Sequence, residues 1–143
     1  MSNNKSFQRF LVVQALYELS INEGRDQQSI EEIFKHIIEQ SNYKKKIKNI
    51  RLNFAKKIFE GVTVNYDKID KILKASTNKK INVSSMDKLL ISIFRPAIYE
   101  IEFSDTAKKV AISEYLLIAN RFFGMNEISL INGVLDNLQD SQF

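Results

Sequence analysis

Proton transfer, nucleophilic attack and metal ligation draw on histidine, cysteine and close carboxylate pairs, and this sequence offers few of them. His36 is the one histidine, and with no cysteine in the chain disulfides and thiolate metal sites are excluded. The lack of cysteine fits a reducing compartment, so the cytoplasm is the expected location. His36 falls in "IEEIFKHIIEQ", a pattern of helical period with no second ligand at metal spacing, and a packing or solvent-facing role is expected of it. The closest carboxylate pairs, Asp67 with Asp70 and Glu100 with Glu102, lie among lysines or near a helix end. Glycine-rich phosphate loops, H-E-x-x-H and G-x-S-x-G are all missing. Neither an enzyme nor a cofactor is expected.

Positive charge is what the chain concentrates. Its net charge is +4, but residues 43 to 80 hold twelve lysines and arginines against three acids, leaving −5 for the remainder. Such polarity suits an anionic partner, with nucleic acid the first candidate; a set of solvated, solubilising helix faces is the alternative.

The elements that must carry these charges are helical. With 143 residues, 44% of them apolar, the chain can bury a real core as one domain spanning 1–143. Four glycines and one proline are too few turn signals for a sheet of many short strands. Residues 6 to 20 present a wide apolar stripe. Ser29 with Glu32 reads as a capping box ahead of Ile33, Phe34 and Ile37, for a helix to about Gln40. Apolar residues at spacings of three and four from Ile47 to Leu73 predict one long helix, bent near Gly61. Ser84 or Ser85 can cap a helix through Leu89, Ile93 and Ile101, in which Pro96 predicts a kink or a break. Two further helices follow, near 107–123 and 127–138. The start "MSNNKSFQRF" has no signal layout, and no run reaches the ~18 apolar residues of a membrane span, so no membrane partner is expected. The expected class is all-α.

Five segments in order and spacing, "VQALYE" (13–18), "FEGV" with "KIDKIL" (59–62, 68–73), "FRPAIYEI" (94–101), "KVAISEYLLIANRFF" (109–123) and "INGVLDNL" (131–138), resemble the bacterial NusB family of transcription antitermination factors. The form "EYLLIANRFF" is similar to the alphaproteobacterial branch. The resemblance implies a compact helical bundle of two small helical subdomains. It also implies a function without a catalytic step: pairing with a small-subunit ribosomal protein acting as NusE, binding boxA of nascent ribosomal RNA as single strand, and joining the RNA polymerase antitermination complex.

Site residues carried by the resemblance come with departures. Where typical members have an arginine-rich stretch before "QALY", this chain keeps only Lys5 and Arg9, four apart and so on one helix face. Lys44, Lys45, Lys46 and Arg121 are the candidates to replace the missing phosphate contacts. Tyr17 corresponds to the family tyrosine near the NusE interface, with an ordinary half-buried core tyrosine as the alternative. Leu90 aligns where many members offer an acid to the basic partner, and Asp87, one turn earlier, can supply that charge. The family's "NGVLD" packs on the last helix, implying that Gly133 permits close helix approach and Asn132 satisfies backbone groups, against the alternative of RNA contact. A NusB-like interaction module or homodimeric scaffold without RNA affinity is the competing reading. Related ribosomal RNA cytosine methyltransferases are disfavoured by the chain's end at Phe143.

Overall fold

The computed structural model describes residues 2–22, 29–40, 51–77 and 82–138. These form seven α-helices, with no strand among the described residues: α1 (Ser2–Ile21), α2 (Ile30–Gln40), α3 (Asn53–Val64), α4 (Tyr66–Ser76), α5 (Lys88–Phe103), α6 (Lys108–Ala119) and α7 (Met125–Asp136), with one 3-10 turn at Val83–Ser85. No helix among them is long and apolar enough to cross a membrane.

Helices α1 and α5 organise the rest. α5 packs against α1, α3, α4, α6 and α7, while α1 also contacts α2, α3 and α6. One continuous core results, including Leu11, Val12, Leu16, Phe34, Ile58, Ile69, Leu73, Ile93, Phe94, Ile98, Tyr115, Ile131 and Leu135. Its position follows from sequence, since a helix surrounded by others must be apolar nearly all round. In α5 every residue from Leu90 to Glu100 except Arg95 is buried.

Local expectations fare differently. The Ser29 cap is present: its hydroxyl accepts the Glu32 N–H at 3.1 Å. The long third helix instead divides at Asn65, whose side chain and backbone N–H both donate to the Gly61 carbonyl. Asparagine thus terminates α3 by offering its carbonyls a side-chain partner, and Gly61 stays inside the helix. The cap of α5 is neither Ser84 nor Ser85 but Asp87, which accepts the N–H groups of Leu89 and Leu90 at 2.9 and 3.0 Å. Pro96 does not end α5, which runs on to Phe103. A proline inside a helix costs about 3 kcal/mol, and burial of α5 against five neighbours outweighs it.

Gly61 is the glycine that close packing requires. A β-carbon there would lie 2.2 Å from Cε1 and Cζ of the Tyr99 ring. Gly133, by contrast, would meet nothing within 4 Å, and Asn132 beside it is exposed. The expectation that Gly133 brings helices together is therefore corrected. Buried Ile131, Val134 and Leu135 define the inward face of α7, which places 132 and 133 on the outward one. Gly133→Ala should raise stability by about 0.5–1 kcal/mol through helix propensity; a loss in thermal or denaturant melting would show that the helix needs glycine there.

Candidate nucleic-acid and partner interface

Of the basic residues singled out in the sequence, Arg9 is turned inward. It is 4% exposed, and its guanidinium grips Glu100 with Nε at 2.7 Å and a terminal nitrogen at 3.0 Å, while its other terminal nitrogen reaches Glu114 at 2.8 Å. Glu100, 0% exposed, also accepts from the Tyr115 hydroxyl at 2.6 Å and the Thr106 hydroxyl at 2.8 Å. Each carboxylate oxygen thus takes two donors, which fills its acceptor sites. Burial acts to lower the Arg9 pKa, but the hydrogen bond and charge of Glu100 outweigh it, so the guanidinium is held more firmly protonated than usual. Burial, reinforced by Glu100, pushes the Tyr115 phenol well above its ordinary 10. Arg9 joins α1 to α5 and α6 and presents no guanidinium to phosphate; its candidacy as an RNA contact is withdrawn.

Lys5 and Arg121 do face solvent. The ammonium of Lys5 stands 5.2 Å from the centroid of Phe54 on α3, and the Arg121 guanidinium 4.7 Å from that of Phe10 on α1. Phe122, 43% exposed, stacks on Phe10 with centroids 6.1 Å apart and ring planes within 9°. Arg121 and the exposed Phe122 share the Phe10 ring, whereas Lys5 stands apart on Phe54; an exposed cation beside an exposed aromatic suits single-stranded nucleic acid, where phosphate attraction and base stacking act together. Lys44, Lys45 and Lys46 lie outside the described residues.

The expected partner contacts separate. Tyr17 is half-buried and lines a cavity of about 330 Å³ with Gln14, Glu18, His36, Leu89 and Phe122 among its walls. Leu90 turns into the core at 7% exposure, and Leu89 is its neighbour on the cavity. The aligned position thus fell one residue away from the side chain that reaches the surface, and a charge at Leu90 would disrupt the core. Asp87 is exposed, but its Oδ1 is engaged as the cap of α5. His36 is half-buried on this same cavity. Sequence reading missed Gln14, Leu89 and Phe122 there; only the neighbourhood of Tyr17 pointed to them.

A family model described as the NusB family matches residues 7–140. The chain belongs to the NusB family. A relative from Clostridium acetobutylicum named transcription antitermination protein NusB is 32% identical over 139 residues, covering 96% of each chain. It is clostridial, and the alphaproteobacterial likeness gains no support from it. The solved T. maritima NusB superposes with a TM-score of 0.72 at 25% identity, over 94% of this chain and 89% of that one. A chain from a structure titled "Crystal Structure of a Plectonemic RNA Supercoil" shares the fold at TM-score 0.78 and 18% identity, over 94% and 93% of the two chains. The Arg9–Glu100–Tyr115 cluster belongs to the interior of this chain, and Lys5, Arg121 and Phe122 are its outward-facing candidates.

Proposed function

We propose that this chain is an RNA-binding transcription antitermination factor that pairs with a small-subunit ribosomal protein in the NusE role, binds boxA of nascent ribosomal RNA and joins elongating RNA polymerase to suppress premature termination. The family match across nearly the whole chain carries this reading. The exposed, ring-supported Lys5 and Arg121 with Phe122 support it as an RNA surface, and the Tyr17 cavity supports it as a protein surface. The work is binding, so no catalytic group is assigned.

Electrophoretic shift of a boxA RNA, with and without the purified ribosomal protein, tests the whole reading; RNA that never shifts under either condition would refute it. Lys5→Ala with Arg121→Ala should weaken binding and flatten its salt dependence by about 1.4 units of log–log slope, roughly 0.7 for each lost contact to single-stranded phosphate. An unchanged slope would move the RNA surface elsewhere. Tyr17→Ala should reduce affinity for the ribosomal protein by about tenfold, the loss of one large amphipathic contact. Titration calorimetry reads this, with melting as the control for folding.

A further inference from the structure

Resting on the RNA-binding reading, we propose that the groove between α4 and the start of α5 is a second, sequence-independent track for the sugar–phosphate backbone of the same RNA, beyond the boxA stretch itself. The charge concentration of the sequence leads there. Residues 43 to 80 carry twelve cations against three acids, yet Lys5, Arg121 and Phe122, the candidates for boxA, all lie outside that segment. Within it, α4 brings Lys71 and Lys74 to one face, since residues three apart are neighbours on a helix. Both line a groove of about 1070 Å³ whose walls also include Lys88 and Arg95 of α5.

The charges of that groove are unequally committed. Asp70, one of its two carboxylates, takes Nε and a terminal nitrogen of Arg95 at 3.0 and 2.9 Å, so this pair is neutral toward a ligand. Lys71, Lys74 and Lys88 are exposed, and none of them has a carboxylate partner among the described residues. Four cations against two carboxylates, Asp67 being the other, leave the walls at +2. No aromatic side chain lines the groove among the described residues, and the Arg95 guanidinium covers the Tyr66 ring at 4.6 Å from its centroid, so bases find no stacking platform. Phosphates, met by lysines as point charges, are what such walls can recognise. The volume exceeds what one small ligand fills. The groove reaches Ser20, fifteen residues and about 22 Å along α1 from Lys5. It is thus a separate station, served by flanking RNA rather than by the nucleotides held at the Lys5 end.

Electrophoretic shift at several salt concentrations, with the ribosomal protein present, compares boxA RNA with the same RNA carrying about 10 arbitrary nucleotides at either end in turn, a length typical of single-strand grooves. One flank should steepen the log–log salt slope by about 2 units, roughly 0.7 for each of three lysines, whatever its sequence. A fourfold rise in salt should then weaken binding of the flanked RNA about 15–20-fold more than binding of boxA alone. Lys71→Gln with Lys74→Gln and Lys88→Gln should abolish the added slope while binding boxA alone and melting like the parent, since all three side chains are exposed. The inference is overturned if neither flank steepens the slope of the parent, if the added slope depends on the sequence of the flank, or if the triple variant weakens boxA alone as much as flanked RNA. It is overturned equally if the triple variant keeps the added slope, which would leave the groove to an acidic protein surface. A parent chain that shifts neither RNA overturns the RNA-binding reading itself, and the inference with it.

Discussion

Arg9→Ala will lower the free energy of unfolding by about 3–5 kcal/mol. Glu100 is 0% exposed and would lose two of its four donors, leaving a charge in the core with only two hydroxyl groups to meet it. Removing both charges tells the mechanism apart from lost packing: Arg9→Met with Glu100→Leu should recover most of the loss, because the penalty comes from the unmatched partner. Denaturant unfolding measures both, and a loss below about 1 kcal/mol for Arg9→Ala, the scale of an exposed pair, would mean that water already screens the site. The same cluster gives an alkaline signature. Tyr115 keeps its proton in the folded chain to a pH well above 10, whereas the unfolded chain releases it near 10. Its contribution is therefore complete below pH 10 and is lost as pH climbs from there through the folded value. Tyr115→Phe should flatten that alkaline decline.

Gly61→Val should destabilise by about 3 kcal/mol, although replacing a mid-helix glycine ordinarily helps. The sign turns on Tyr99. Its ring occupies the place of the missing β-carbon at 2.2 Å and is held by stacking on Phe103, with centroids 5.8 Å apart. Shortening the ring in the same chain, Gly61→Val with Tyr99→Leu, should return part of the loss, since the two positions share one volume. Neutral or improved stability for Gly61→Val alone would show that Tyr99 moves aside freely.

These two sites also show what periodicity conveys and what it conceals. The all-helical class and the cap at Ser29 follow from spacing that any helix of 3.6 residues per turn imposes. Arg9 and Glu100 were readable by the same rule: Arg9 stands in phase with Val12, Val13 and Leu16, and Glu100 with Ile93 and Ala97, all of them buried. Charges in core register announce an internal pair, but no local pattern says that residues 91 apart are each other's partners. Gly61 and Gly133 are alike in sequence, each inside a helix, and only the neighbour across the gap distinguishes them. Leu89 and Leu90 differ by one step of 100° around α5, so a sequence alignment correct to within one residue still chooses the wrong face. The division at Asn65 needed the knowledge that its amide would turn back onto Gly61.

The anchoring of α1 bears on synthesis as well. Its polar ties run from Arg9 to Glu100 and Glu114 and from Ser6 to Glu114, across 91 to 108 residues of chain. At about 5–20 residues per second of translation, the amino-terminal helix waits on the order of 5–20 seconds before its counter-charges leave the ribosome. During that interval Leu11, Val12, Val13, Ala15 and Leu16, all sealed away in the finished fold, have α2 and α3 to cover them but not α5 or α6. The first helix made is thus among the last to be completed, and the nascent chain depends on early partial cover, or on a chaperone, to keep that stripe from other chains.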